Sequence, residues 1–177
     1  RRPEILGVQA RGERGRAHQI TEQHGELTAR RDAAATLVAR LEQRIAAVTR
    51  AVLTRPRPRV LYVLWPEPLI VPGRESLVTE LIRLAGGESI TAGEGDSYPR
   101  YSLEAAIARA PEVILLANHG AGTGPVDQEK WRSLTSLPAI KTGRLHRVNG
   151  DLLHRYGPRI VDGLEQLARA IHPDAFK

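Results

Sequence analysis

The chain has 177 residues, 41% of them hydrophobic, which is enough for one domain of ordinary size with its own core. It contains no cysteine, so disulfides and thiolate metal sites are excluded. No segment approaches the roughly 18 consecutive apolar residues that a membrane-spanning helix needs. Because the sequence opens on Arg1 and without a signal peptide, we expect a processed or trimmed product.

Positive charge is concentrated at the start of the chain. Residues 1–59 carry 13 arginines against six acidic residues, whereas residues 60–177 are close to neutral, and the whole chain has a net charge of +6. A basic arm on a neutral domain is one way to bind nucleic acid. This arm, however, has no aromatic side chain that could stack on bases and no recognisable DNA-binding motif. A solvated basic face without a nucleic-acid partner is therefore the simpler interpretation.

A long amphipathic helix is predicted for Asp32–Leu53, because apolar side chains recur there every three or four residues. This apolar stripe consists of Leu37, Leu41, Ile45, Val48 and Val52. Asp32 suits a helix N-terminus, and Pro56 with Pro58 ends the pattern. At about 1.5 Å per residue the helix is roughly 33 Å long, close to the diameter of a small domain.

Strands and helices alternate from residue 60 to the end of the chain. Strands are predicted at Val60–Leu64, Ser89–Ile90, Val113–Ala117 and Leu145–Val148. Helices are predicted at Glu75–Ala85, with Gly86-Gly87 as its stop, at Leu103–Arg109 behind the capping Ser102, at Val126–Leu134, and from Pro158 onwards. This alternation is typical of an α/β fold, here a three-layer lobe with a mainly parallel sheet, preceded by the long helix.

Ligand sites on such sheets lie in the loops beyond the carboxyl ends of the strands. Here those loops are Trp65–Gly73, Asn118–Pro125 and Asn149–Gly157. Two aromatic side chains, Trp65 and Tyr98, stand in proline-flanked loops rather than in core patterns. They could stack on a flat ligand or simply pack beneath their own loops, and the sequence leaves both interpretations open.

Other motifs favour no enzymatic site. The glycine-rich segment Gly120–Gly124 lacks the Lys-Ser/Thr of a Walker loop and the GxGxxG spacing, so we expect a flexible loop rather than a nucleotide site. His119, His146 and His154 follow no metal-ligand spacing, and no metal site is expected. The serines lack a GxSxG elbow and no carboxylates are paired for acid–base chemistry, so the chain is not expected to be an enzyme.

An ordered series of motifs resembles a known family. The motifs are Trp65-Pro-Glu-Pro-Leu-Ile-Val-Pro-Gly-Arg-Glu-Ser76, Glu80-Leu-Ile-Arg-Leu-Ala-Gly-Gly-Glu88, Tyr98-Pro-Arg-Tyr-Ser-Leu-Glu104, Ala110-Pro-Glu-Val-Ile-Leu115 and Arg155-Tyr-Gly-Pro-Arg159. The series resembles the C-terminal lobe of the class III periplasmic substrate-binding proteins of ABC importers, and most of all their cobalamin-binding members. The resemblance covers roughly Gly25 to His172.

The resemblance implies an architecture. In that family two α/β lobes are joined by one long backbone helix, and the ligand lies between the lobes. By this likeness, residues 1–31 are a remnant of the N-terminal lobe or an arm, residues 32–55 the backbone helix, and residues 56–177 the C-terminal lobe. Most of the N-terminal lobe has no counterpart here, so we expect the apolar stripe to drive self-association, as a homodimer through the helix.

The resemblance also implies functional residues. It places Trp65, Glu67, Pro68, Tyr98 and Leu152 at the ligand. Leu152 stands at a position that is aromatic in the cobalamin-binding members. Glu104 matches a surface glutamate that pairs with arginines of the transmembrane permease subunits.

The function that follows is a substrate-binding component of an ABC importer. Its ligand would be a metal chelate, with cobalamin first and haem or ferric siderophore behind, and it would hold no resident cofactor. The location would be periplasmic or extracytoplasmic, with a membrane anchor in the full-length form as one option. The alternative from another class is a basic-armed α/β regulatory or nucleic-acid-binding module.

Overall fold

The computed structural model describes residues 31–118 and 128–177. The first helix, α1 (Arg31–Val52), lies within one residue of the prediction at both ends. None of the helices in these two ranges is long and apolar enough to cross a membrane. The stretch Gly120–Gly124, together with His119 and the start of the helix predicted from Val126, lies outside the described residues.

Four strands form one sheet, and all of them run parallel. They are β1 (Arg59–Val63), β4 (Glu88–Ser89), β5 (Val113–Asn118) and β6 (Leu145–Asn149). The order across the sheet is β4-β1-β5-β6, with Val60 opposite both Ser89 and Val113, and Ile114 opposite Leu145. The two central strands are apolar and buried, as expected for strands covered on both faces.

The helices cover the two faces of this sheet. They are α2 (Leu77–Leu84), α3 (Leu103–Ala108), α4 (Gln128–Arg132), α5 (Pro138–Lys141), α6 (Gly150–Leu153) and α7 (Ile160–Ile171), followed by a 3-10 turn at Pro173–Phe176. Successive β1 side chains point to opposite faces: Tyr62 packs with α2 and α7, and Leu61 packs with α3, α4 and α5. The predicted three-layer α/β lobe is confirmed.

Several local predictions need correction. Trp65–Gly73 is not all loop, because β2 (Trp65–Pro66) and β3 (Leu69–Ile70) form an antiparallel hairpin. The α2 helix begins at Leu77 rather than Glu75, because the Ser76 hydroxyl accepts from Thr79 N at 3.1 Å and caps it.

The start of α7 also differs from the prediction. Pro158 is not its first residue, because Ile160 N donates to Gly157 O at 3.0 Å and residues 157–159 form a turn before the helix. The predicted loop Asn149–Gly157 contains the one-turn helix α6, and α5 was likewise not predicted.

Gly86 lies where the end of α2 meets the ends of α1 and α7. Its φ is +83°, the left-handed conformation predicted for the helix stop. A Cβ at Gly86 would lie 2.8 Å from His172 Nε2 and 2.9 Å from Val52 Cβ. The glycine therefore serves both the turn and the close approach of α2 to the ends of α1 and α7.

The C-terminal half of α1 packs on the lobe, and its N-terminal half is more open. Val48 and Val52 of the apolar stripe are buried, and Ile45 packs against the same core. Leu37, nearer the start of the helix, is 36% exposed, and the neighbouring Val38 is buried instead. The stripe is therefore covered by the lobe at one end, while the described residues leave the other end partly open.

Arg44 forms a second link between α1 and α7. Its Nε donates to Glu165 Oε1 at 2.8 Å, and its Nη2 donates to Asp162 Oδ1 at 2.7 Å. These hydrogen bonds, first to Glu165 and then to Asp162, raise the pKa of Arg44 above its usual range. An arginine that the helix pattern places off the apolar stripe thus fixes the angle between two helices.

We expect Arg44→Ala to lower the free energy of unfolding by about 1 kcal/mol, because two acidic groups one turn apart on α7 would lose their shared cation. Urea unfolding measures the loss, which should shrink in high salt because the groups are partly exposed. Arg40→Ala, an exposed position on the same helix, is the control and should change stability by less than about 0.5 kcal/mol. Equal losses in the two variants would contradict the role assigned to Arg44.

Candidate functional site

Two segments meet at the carboxyl edge of the sheet. The β2–β3 hairpin follows β1, and residues 92–101 follow β4. They pair through an isolated bridge between Ile70 and Arg100, and Val71 N donates to Pro99 O at 3.2 Å. We call these paired segments, Trp65–Gly73 and Ser97–Tyr101, the rim ribbon. They lie where parallel α/β sheets hold their ligands.

Side chains alternate across the rim ribbon. Tyr98 and Arg100 are exposed, while Tyr101 is half-buried and packs with Leu69 on the core side. Residues directly opposite each other in antiparallel strands share a face, and Trp65 is paired with Ile70, which is paired with Arg100. The outer face of the ribbon therefore carries two aromatic rings and a cation.

The two aromatic rings on the outer face of the ribbon are unusually open to solvent. Trp65 is 40% exposed and Tyr98 is 41% exposed, although large aromatic side chains are usually buried for most of their area. The indole Nε1 of Trp65 also donates to Glu67 O at 3.0 Å, so its polar edge is held by its own hairpin. The Trp65 ring is thus anchored along its polar edge, and both rings keep exposed surface.

Glu67 and Pro68 form the tip of the hairpin, joined by a cis peptide bond. Glu67 Oε2 accepts from Lys130 Nζ of α4 at 3.0 Å. These residues border a pocket of about 330 Å³ that is also lined by Arg100 and Trp131. The buried Trp131 Nε1 has no hydrogen-bond partner in the described parts of the chain. The pocket therefore adjoins the hairpin tip and Arg100.

Tyr98 contacts a segment that lies far away in the sequence. Its ring centroid is 6.0 Å from that of His154, at an interplanar angle of 60°. His154 Nε2 in turn lies 2.9 Å from the hydroxyl oxygen of Tyr62 on β1. Burial raises the pKa of Tyr62 well above its usual range, so this phenol stays protonated.

The five predicted ligand residues are not all brought together. Trp65, Glu67 and Pro68 belong to one hairpin, and Tyr98 is joined to it by the pairing of the ribbon. Leu152 is half-buried on α6, and the contact between that segment and Tyr98 is made by His154. The ligand role of Leu152 therefore stays a prediction.

Sequence reasoning did not find the contact residues His154, Tyr62 and Arg100. His154 was considered only as a metal ligand, and no group of three or more His, Cys, Asp or Glu among the residues described here is placed to hold a metal ion. His146 is half-buried, and burial together with Arg144 lowers its pKa. The sequence did carry one signal, and it concerned Tyr62: the alternation of side chains along β1 places Tyr62 and Leu61 on opposite faces of the sheet.

Glu104 is exposed in the first turn of α3, as predicted. The Ser102 hydroxyl caps this helix by accepting from Ala105 N at 3.0 Å, and it lies 2.8 Å from Glu104 Oε2. The backbone amide of Glu104 and then the Ser102 hydroxyl hold the pKa of this carboxyl below its usual value. The carboxylate is therefore ionised and accessible at neutral pH.

Comparison with known proteins places these features in a family. The family model for periplasmic binding proteins matches residues 4–152. The chain is 29% identical over 112 residues to the vitamin B12-binding protein of Vibrio vulnificus (strain YJ016), and the aligned region covers 63% of this chain and 40% of that relative. The chain thus spans well under two thirds of the relative's length.

Solved structures agree with this comparison. The periplasmic heme-binding protein RhuT from Roseiflexus sp. RS-1 superposes with a TM-score of 0.76 at 24% identity, covering 89% of this chain and 62% of that one. The structure of an ABC-type Fe3+-hydroxamate transport system from Saccharomonospora viridis DSM 43017 gives 0.73 at 25% identity, with coverages of 86% and 54%. With its family match, its parallel sheet and its long first helix, the chain belongs to the periplasmic binding protein family, in its class III with a helical backbone.

Proposed function

We propose that this chain is the C-terminal lobe and backbone helix of the substrate-binding component of an ABC importer. The proposed cargo is cobalamin or a related metal chelate, namely haem or a ferric siderophore. The observation that carries the proposal is the pair of exposed rings, Trp65 and Tyr98, on a ribbon at the carboxyl edge of the sheet. We further propose that Glu67, Pro68 and Leu152 complete this face of the ligand site.

The chemistry of the ribbon suits a flat chelate. Corrin and haem macrocycles present broad apolar faces, on which Trp and Tyr rings stack. Relatives named for vitamin B12 and for Fe3+-hydroxamate support a metal chelate as the ligand. The exposed guanidinium of Arg100 stands on the same face and would pair with an anionic edge of the ligand, such as a haem carboxylate.

The described part of the basic arm does not favour the nucleic-acid alternative. Three arginines of the basic arm bond to the protein itself. Besides Arg44, Arg57 Nη2 donates to Arg83 O and Gly87 O, both at 2.9 Å, and Arg59 Nη2 donates to Ala110 O at 3.0 Å. A patch that recognises phosphates needs its cations directed at solvent.

The proposed location is extracytoplasmic, with a membrane anchor in the full-length form. The proposed partners are the transmembrane subunits of the permease. Docking would use Glu104, because an exposed, ionised carboxylate can accept two parallel hydrogen bonds from an arginine.

Ligand binding tests the rim ribbon. Tyr98→Ala in the full-length protein should weaken the binding of the cognate chelate by about 1–2 kcal/mol, the scale of one lost aromatic contact. Isothermal titration calorimetry with cyanocobalamin and haemin measures the affinity. Tyr98→Phe keeps the ring and is the control, with affinity close to that of the unchanged protein. Unchanged affinity in Tyr98→Ala would remove this residue from the site.

Transport tests the docking carboxylate. Glu104→Ala should leave folding and ligand affinity intact but reduce ligand-stimulated ATPase activity, and Glu104→Arg should reduce it further by placing like charges together. Glu88→Ala is the control, an exposed glutamate at the opposite edge of the sheet. Full activity of the arginine variant in reconstituted vesicles would refute the assignment. Because its pKa is lowered, Glu104 should support docking down to a lower pH than an ordinary glutamate.

We also propose that two copies of this chain associate through the N-terminal half of α1, where Leu37 is exposed and Leu41 half-buried. Leu37→Glu should shift the chain to a monomer in size-exclusion chromatography with light scattering. Ala47→Glu, at an exposed position of the same helix off the stripe, should leave the assembly unchanged. A strict monomer of the unsubstituted chain at high concentration would exclude the proposal.

A further inference from the structure

We propose that His154 is a positioning residue for the ligand face: anchored by Tyr62 in the core, it holds the ring of Tyr98 in the orientation that meets the ligand. The ligand part of this inference rests on the proposed function. The positioning part concerns contacts within the chain alone, so it can be tested without a ligand.

The anchor is a buried phenol. Tyr62 is 0% exposed and lies in the apolar cluster between β1 and the helices α2 and α7. A buried hydroxyl without a partner costs free energy, so it needs a hydrogen bond. The structure provides that bond at 2.9 Å through His154 Nε2. The rings of the two residues also meet edge to face, with centroids 5.8 Å apart.

The backbone of His154 is fixed as well. Its N–H donates to Gly150 O at 3.0 Å and closes the single turn of α6. That turn lies close against α7, because a Cβ at Gly163 would come within 2.8 Å of Leu153 Cδ2. His154 is therefore held from two directions, by a helical turn and by a core hydroxyl.

Tyr98 is held differently. Its neighbours fix the backbone, since Ser97 O accepts from Gly73 N at 2.9 Å and Pro99 O accepts from Val71 N at 3.2 Å. The side chain itself is 41% exposed, and its ring leans on His154 at a centroid distance that is ordinary for paired aromatic rings. A ring already oriented before the ligand arrives loses less rotamer freedom on binding. His154 thus contributes to affinity without touching the ligand.

The test separates the two contacts of His154. His154→Phe keeps a ring beside Tyr98 but loses the bond to Tyr62, whereas His154→Gln offers polar atoms to Tyr62 but removes the ring. The chain contains four tyrosines, so incorporation of 3-fluorotyrosine gives four ¹⁹F signals that Tyr→Phe variants assign. In His154→Gln the Tyr98 signal should shift and broaden, while that of Tyr101, packed on the core side, stays in place as the control.

Two results would overturn the positioning role. One is an unchanged Tyr98 signal in His154→Gln, and the other is an equal shift of the Tyr98 and Tyr101 signals, which would indicate general loosening. If His154→Phe fails to fold because the Tyr62 hydroxyl is left unpaired, the double variant Tyr62→Phe with His154→Phe removes that defect. The double variant should shift the Tyr98 signal less than His154→Gln does, because a ring still lies beside Tyr98 but has lost its hydrogen bond to Tyr62.

Binding then decides the ligand part in the full-length protein. His154→Gln should weaken the chelate that binds, cyanocobalamin or haemin, by about threefold to tenfold. On a Tyr98→Ala background the same substitution should change affinity by less than twofold, because His154 affects binding only by orienting the Tyr98 ring. An equal loss on both backgrounds would show that His154 acts elsewhere. If neither probe binds the unsubstituted protein, cobalamin and haem are excluded as the proposed cargo, while the ¹⁹F result still decides the positioning.

Discussion

The pairing of β1 with β5 at the centre of the sheet is the constraint on which the lobe depends. Residues 60–63 are all fully buried and lie in register with residues 113–116. The alternation along β1 supplies one side chain to each core cluster in turn. The same strand runs directly into the hairpin that carries Trp65, and it supplies the hydroxyl of Tyr62 that His154 needs. Core and rim are therefore positioned by one strand.

Much of the lobe could be predicted because its signals are local. An unbroken apolar run identifies each central strand, a stripe with helical spacing identifies α1, and a serine before an apolar pattern identifies the cap of α3. The left-handed conformation of Gly86 follows from glycine's freedom at the end of a helix. The exposure of Glu104 was predictable from a similarly local signal, namely its position in the first turn of a helix.

The rest is decided by contacts between distant segments. Two-residue strands such as those of the rim hairpin have no period that a sequence could display, and they exist here because Ile70 also pairs with Arg100. Tyr62 and His154 are 92 positions apart, and Arg44 and Asp162 are 118 apart. A histidine and an arginine at those positions look like ordinary surface residues until the fold provides their partners. This is why the sequence could suggest candidate ligand residues, while the contacts that support them could not be predicted.

The distribution of charge now has a physical interpretation. Three arginines of the arginine-rich start bond to the protein itself: Arg44 holds α1 on α7, Arg57 bonds to the end of α2, and Arg59 bonds to the end of α3. Arg100, in the near-neutral part of the chain, is instead exposed beside the two open rings. A ligand without an anionic group that covered this face would remove water from the Arg100 guanidinium without replacing its hydrogen bonds. Desolvating a charge in this way costs free energy. Within the proposed class of flat chelates, we therefore expect those that carry a negative edge to bind better.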